Sequence, residues 1–342
     1  MRQHRELGLA FLFGVLAISV FGNAITFYLF ERSSQSVTVA DSFWYSVISI
    51  TTIGYGDFYP VTLGARLGTV FFVILVGLAA FTTVIGVTVD WVSDIRQRER
   101  RGMGKTTLRG HLLLVNFPSE SRVRQIIEEF RRDEYHRGKE VVVVTDQIEE
   151  LPFSIDDVAF VRGSPLERET FERASVIRAS QVIVLSPSYD DLRSDSLAAS
   201  ISFLIEHMNS EVPIIVECLD PKHEVLFNTT GRVALVYTLQ MGTNLLVQEA
   251  QDRGVHLLTQ AVTSNQIDGT LASTVVSNAV DGTKSYSDVA KQLIDHGVVL
   301  VGIIRAGSVI VRFADTQMTE GDCLVYISKE RQSWDRLCAL VA

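Results

Sequence analysis

Two long stretches without a charged residue, Leu7 to Phe30 and Leu67 to Val89, constrain this 342-residue chain more than any other feature. A helix of about 24 residues rises roughly 36 Å, enough to cross a hydrocarbon layer of about 30 Å with some tilt. Both stretches are long enough to span. The first is too long for the apolar part of a cleaved signal peptide and ends in no small-residue cleavage pattern. After about residue 95 the sequence reads as ordinary globular protein, so the 47% hydrophobic content averages two unlike parts.

Basic residues concentrate on one side of the spans. Arg2 and Arg5 precede the first, and Arg96, Arg98, Arg100 and Arg101 follow the second. Such residues mark the cytoplasmic side, so both termini are expected in the cytoplasm of a multi-pass protein of the cell membrane, in contact with lipid. Residues 31–66 then face outward and dip back. The net charge of −9 belongs mostly to the globular part and gives no support to a nucleic-acid partner. Cys218, Cys323 and Cys338 have no paired metal-ligand spacing and read as reduced core thiols.

The segment between the spans, VADSFWYSVISITTIGYGDFYP from Val39 to Pro60, carries the chemistry. Asp41 is a plausible N-cap for a short helix over Ser42 to Thr51. A helix that short cannot cross a bilayer, and non-helical backbone at membrane depth must be buried in protein or line water. The glycines that follow favour water. A pore that selects potassium replaces the hydration shell of the ion with stacked backbone carbonyls. Gly54 and Gly56 give Thr52-Ile53-Gly54-Tyr55-Gly56 the freedom to aim its carbonyls one way, Thr52 adds a hydroxyl, and Ile53 and Tyr55 pack behind. Each chain has one such loop, so a closed ring of oxygens requires four chains around one axis, a homotetramer with potassium as the permeant ion.

The string TTIGYGD resembles the signature of potassium channels, and the layout of two spans around one loop resembles the simplest members of that family. The resemblance implies that Trp44 donates a hydrogen bond to Asp57 behind the filter, with Tyr45 in the neighbouring aromatic position. Ile48 stands where some relatives carry Glu, so a Glu-Asp pair is not expected. The resemblance also implies a hinge glycine in the second span, for which Gly77 fits best and Gly68 and Gly86 compete. Asp90 and Asp94, four apart on one helical face, could form an acidic ring at the inner mouth, or Asp94 could pair with Arg98. No span carries the arginine repeat of a voltage sensor, so gating is expected to come from elsewhere.

Beyond Leu108, strand-like runs at His111–Val115, Glu140–Thr145, Val158–Val161, Gln181–Leu185 and Pro213–Cys218 alternate with helical patterns such as Ser121–Tyr135 and Arg193–Met208. This alternation predicts a doubly wound parallel sheet, Rossmann-like in its first half. From about Gly254 the pattern changes to strands, a hairpin near Gly307 and a helix over Ser285–Asp295. Arg162-Gly163-Ser164-Pro165, Ala179 to Ser186, Ser194-Asp195-Ser196 and Thr319-Glu320-Gly321-Asp322 together resemble a regulator of potassium conductance (RCK) domain, over nearly all of residues 109 to 342. The expected organisation is a membrane α-helical pore domain at 1–95, a linker at 96–108, a Rossmann-like α/β N-lobe at 109–253 and a small α+β C-lobe at 254–342. With the pore, this implies a ligand-gated channel of the calcium-gated prokaryotic type rather than an enzyme. The alternative reading is a regulatory subunit of a potassium transport system.

The regulatory ligand is harder to read. A dinucleotide site needs G-x-G-x-x-G, and here those positions hold Val115, Phe117 and Glu120, with Pro118 removing a donor. Asp146 still matches the ribose-binding acid, or is a turn acid. Of the carboxylates that calcium-gated relatives place after the fourth and fifth strands, Glu217 remains, with Leu185 and Leu219 at the others. Calcium wants six to eight oxygens, so Asp190, Asp191 and Asp195 would have to join Glu217 in a rearranged site; solvated loop acids are the alternative. A divalent cation or a nucleotide thus stays open without a supporting motif. GMGKTT at 102–107 is no phosphate loop, because the glycine it requires at position 99 is Glu. Met103 could instead start a separate soluble chain and so supply additional RCK subunits.

Overall fold

The computed structural model describes residues 2–153, 155–191, 193–227, 232–265, 269–277 and 285–341, apart from the side chains of 2–7, 9, 96 and 134. They form two compact units that divide between Arg98 and Glu99.

The first unit contains α1 (Arg2–Glu31), α2 (Val39–Ile50), α3 (Leu63–Gly68), a π-helical segment (Thr69–Gly77) and the start of α4 (Leu78–Arg100). Ala10–Glu31 and the continuous rod Leu63–Arg100 are both long and apolar enough to cross a membrane. Helix α2 begins earlier than the sequence suggested, and Asp41 is not its cap. Thr38 is the cap: its side chain accepts from the Asp41 amide while Asp41 accepts from the Thr38 amide at 2.9 Å. This reciprocal capping box fixes the start three residues before Ser42. The helix ends at Ile50 because Thr52 turns left-handed, with φ +61°.

A small core of Phe27, Val37, Tyr45 and Ala65 joins these helices, with the Phe27 and Tyr45 rings stacked at 4.2 Å. Glu31, wholly buried at the end of α1, accepts from the Val61 and Thr62 amides at 2.7 Å each, from the Thr62 hydroxyl at 3.0 Å and from Gln35 at 2.9 Å. Every lone pair of that carboxylate that matters is therefore used to fix the turn that leads out of the pore loop.

In the second unit β1 (Leu112–Val115), α5 (Glu120–Arg132), β2 (Val141–Thr145), β3 (Val158–Arg162), α6 (Arg168–Arg173), β4 (Gln181–Val184), α7 (Ser194–Met208), β5 (Ile214–Glu217) and β6 (Val233–Val236) form a parallel sheet of order β3-β2-β1-β4-β5-β6. This is the doubly wound arrangement expected, and the unbroken apolar runs of β1 and β2 are buried on both faces, as such a sheet requires. Residues 102–106, expected as linker, are built into this unit. The Gly102 carbonyl accepts from the Arg162 amide at 2.9 Å, and the Thr106 amide donates to the Arg173 carbonyl at 2.9 Å.

Helices α8 (Thr238–Gln251) and α9 (Val255–Thr263) follow and bury none of their side chains, leaving Leu239, Met241, Leu246, Val247, Leu257 and Leu258 exposed. The C-lobe is an antiparallel sheet of β7 (Thr270–Val275), β8 (Val299–Arg305), β9 (Ser308–Ile310) and β10 (Cys323–Ser328), ordered β7-β10-β8-β9. Helices α10 (Tyr286–Ile294) and α11 (Trp334–Val341) cover one face through Tyr286, Leu293, Trp334 and Leu337. Ala306 and Gly307, both with positive φ, make the two-residue turn between β8 and β9, which is the hairpin expected near Gly307.

Candidate functional sites in the pore loop and the α/β unit

The pore loop is built on the end of α2. The Ile48 carbonyl accepts from the amides of both Ile53 (2.9 Å) and Gly54 (3.2 Å), and the Thr52 amide donates to Ser49 at 3.1 Å. Beyond that anchor, positive φ occurs at every second residue: +61° at Thr52, +54° at Gly54 and +79° at Gly56. Alternating left- and right-handed dihedrals turn successive peptide units the same way, so amides gather on one side and carbonyls on the other. Nothing lies within 4 Å of where a Cβ would stand on Gly54 or Gly56; their glycines are required by conformation, not by crowding. Thr52 holds the same conformation with a branched side chain, a local strain of the kind found at functional sites.

Trp44 sits beside this loop. Its indole donates to Asp57 at 2.8 Å, and its ring stacks on Tyr55 at 5.9 Å, nearly parallel. Tyr45 lies elsewhere, stacked on Phe27, with its hydroxyl 3.3 Å from that of Thr69. Ile48 is buried behind the loop, where a second acid would have stood. Gly77 closes the π segment, and a Cβ there would meet Ser19 Oγ at 2.6 Å and the Phe72 carbonyl at 2.8 Å; Gly68 is similarly crowded by Thr26, and Gly86 is open. Asp90 and Asp94 are exposed on α4, and among the described residues no ion pair joins Asp94 to Arg98.

In the α/β unit, the place where a dinucleotide would enter is the switch point between β1 and β4. There the chain supplies its own partners. Asn116, left-handed at φ +73° just after β1, donates from its side chain to the Leu185 carbonyl at 2.7 Å. The Phe117 amide donates to Gln147 at 2.8 Å, and Gln147 donates on to Pro187. The Phe117 amide, one donor that a pyrophosphate at this turn would use, is thus already engaged, and Pro118 offers none. Asp146 is exposed in the bend after β2 and makes none of these bonds.

The four acids considered for a cation site each have other partners or face solvent. Glu217 is buried and accepts from Arg122 (2.6 Å), Tyr189 (3.0 Å), Thr238 (2.5 Å) and the Ser186 amide (3.1 Å). Asp195, also buried, accepts from the Leu219 and Asp220 amides and from His223 at 2.8–3.0 Å. Burial by itself raises the Asp195 carboxyl, but the two amides and His223 outweigh it and hold it below the usual range. Burial, reinforced by Asp195, pushes the Cys218 thiol up to about 12, so it is an inert core thiol. Asp190 is exposed, and Asp191 pairs with exposed Arg193 at 3.1 Å. Glu217 and Asp195 are therefore neither solvated loop acids nor a joint site, and among the described residues no three His, Cys, Asp or Glu side chains are placed to hold a metal. Arg122, the partner of Glu217 from 95 residues away, went unnoticed in the sequence because nothing local marks it.

A cavity of about 730 Å³ lies on another side of the unit, against β3. Leu108, Phe153, Val158 and Phe160 line its apolar part, and Arg100, Lys105 and Glu150 its polar part.

Comparison with known proteins joins the two units. Residues 13–94 match the family described as "Ion channel", and residues 107–216 match "Calcium-activated potassium channel slowpoke-like RCK domain". The chain is 26% identical over 293 residues to YugO of Bacillus subtilis (strain 168), provisionally named a potassium channel protein, covering 84% of each chain. It is 21% identical over 313 residues to the calcium-gated potassium channel TvoK of Thermoplasma volcanium, covering 89% of this chain and 87% of that one. The human SLO3 gating ring shares the fold, with a TM-score of 0.51 at 14% identity over 64% of this chain; the chain spans 44% of that structure.

Proposed function

Because this chain is a potassium channel whose C-terminal part is an RCK domain, we propose that four copies surround one axis and that the carbonyls of Thr52, Ile53, Gly54, Tyr55 and Gly56 form the potassium filter. The observation that carries this reading is the alternation of left-handed residues at 52, 54 and 56, held by Trp44 on one side and the Ile48 carbonyl on the other. Asp57 and, at the other end of the path, Asp90 and Asp94 concentrate cations. The channel lies in the cell membrane with both termini in the cytoplasm, as the flanking arginines indicate.

The RCK units assemble as a ring, and the apolar side chains that α8 and α9 leave bare supply a surface for a neighbouring copy. Differential affinity of a ligand for two shapes of that ring drives the gate, and residues 92–108 pass the change to the pore-lining helix. A dinucleotide at the switch point and calcium at Glu217 are both disfavoured, because the Phe117 amide and the Glu217 carboxylate are engaged within the chain itself. A small ligand, whether a divalent cation or a nucleotide, has to act elsewhere; the cavity beside β3 is the place to look. A soluble chain starting at Met103 would lack the Gly102 carbonyl that Arg162 and Arg173 engage, so the ring is built from full-length copies.

Reconstitution of the full chain in lipid under potassium or sodium gradients tests the pore. Repeating the flux with calcium, nucleotides and pH as variables tests the ring. A purified complex holding a second, shorter product that starts at Met103 would overturn the full-length ring.

A further inference from the structure

The helix after the pore loop changes its hydrogen-bond register partway. Thr69–Gly77 is π-helical between α3 and α4, and the Leu78 amide closes it by reaching back to the Val73 carbonyl, five residues before. Nothing in TVFFVILVG predicts this: it holds no proline, and its only glycine is the last residue. The partners that favour the π register come from α1.

Ser19, wholly buried on α1, donates its hydroxyl to the Phe72 carbonyl, inside the π segment. Asn23, one turn further along α1 and also buried, accepts from the Thr69 hydroxyl at 3.5 Å and donates to Ser46 of α2 at 2.8 Å. One polar stripe of α1 therefore meets both the start and the middle of the π segment. Gly77 supplies the room at its end, since a side chain there would collide with Ser19 Oγ and the Phe72 carbonyl. Local π turns are rare, cluster at functional sites and mark places where a side chain from outside enters the helical ladder.

We propose that Ser19 is a positioning residue of the pore: its hydroxyl holds the helix in the π register and thereby sets which face of Leu78–Asp90 looks onto the ion path. A π turn takes one residue more than an α turn. If it collapsed to α, everything after it would advance by one position, about 100° around the axis. Residues from Leu78 onward would exchange lining and packed faces with no hinge bending at all. The inference rests on the reading of this helix as the lining of the pore.

The test is cysteine accessibility in the full-length tetramer, in a background with Cys218, Cys323 and Cys338 replaced by alanine. Single cysteines from Leu63 to Asp90 are modified with a charged thiol reagent while potassium flux is recorded. With Ser19 present, the reactive stripe after Leu78 should lie one position out of phase with an α-helical stripe continued from Leu63–Gly68. In Ser19→Ala the phase break should vanish and the stripe after Leu78 move by one position. Thr83→Ala, which removes a hydroxyl bonded only to its own helix at Ala79, should leave it in place. A role in stability alone would lower assembly without moving the stripe. Should Ser19→Ala fail to assemble, an ester in place of the Phe72–Val73 amide weakens the same carbonyl and should give the same shift. A continuous α-helical stripe with Ser19 present, or a stripe that neither change moves, overturns the proposal. Absence of potassium flux in the unsubstituted chain would instead strike the pore reading itself.

Discussion

At the pore loop, no carbonyl from Thr52 to Gly56 has a protein hydrogen-bond partner among the described residues, whereas at the ends of β1 and β5 the side chains of Asn116, Gln147 and Glu217 are engaged within the chain. Both places sit where the fold could hold a ligand. The difference shows how such a site is kept or lost. A binding site is a set of buried polar groups awaiting a partner, and once side chains of the protein satisfy them, burial no longer calls for a ligand.

The largest effect is expected where that openness is enforced. Gly56→Ala places a side chain in a left-handed residue, at a cost of about 1–2 kcal/mol in each copy. Potassium-selective current should vanish while the α/β unit stays folded, which single-channel recording and circular dichroism would show together. Retained selectivity would mean that the loop is not conformationally constrained. Next comes the support: Trp44→Phe removes the bond to Asp57 but keeps a ring against Tyr55, and should shorten open dwell times several-fold with the potassium-to-sodium ratio largely intact.

On the closed side of the comparison, Glu217→Gln strips the charge from a carboxylate that answers Arg122 and three other donors. A stability loss of about 2–3 kcal/mol is expected by denaturant titration of the whole protein, calcium making no difference to it. If calcium rescued the wild type and not this variant, the crevice would be a site after all. A smaller effect concerns acid. Burial raises the carboxyl of Asp322, yet Arg305, Tyr286 and the Thr319 amide hold it below its ordinary value, as the amides and His223 hold Asp195. Both therefore lend stability that is complete above the unfolded carboxylate value near 3.9 and is lost as pH falls through their lower folded values. Melting temperature should be flat from pH 7 to about 5 and drop below about 4; Asp195→Asn together with Asp322→Asn should flatten that drop. The smallest expected change is in Asp90→Asn: lower single-channel current at low salt with selectivity unaltered.

The parts of this architecture that could be read from sequence are those fixed by local chemistry. The spans follow from the charge-free runs, the parallel sheet from the buried valine and leucine strings of β1 and β2, and the loop from glycines that only an unusual backbone requires. What escaped depends on distant partners. Asp41 lies nearer the apolar run and so marks the cap in the sequence, although Thr38 and Asp41 cap the helix together. Glu31 reads as the first charge beyond a span, and only the return of Val61 and Thr62 makes it a buried acceptor. The π segment has no signature of its own, since Ser19 and Asn23 stand about fifty residues before the backbone and side chain they engage. Likewise Glu217 reads as a cation ligand in sequence, whereas its partner is Arg122, 95 residues before it.

The central claim is that the loop from Thr52 to Gly56 conducts potassium in preference to sodium. Purified full-length protein in liposomes, loaded with either ion and read by the reversal potential under opposed gradients, tests it most directly. A reversal potential close to that of potassium is expected, abolished by Gly56→Ala. Equal passage of sodium, or potassium flux that survives that substitution unchanged, would contradict it.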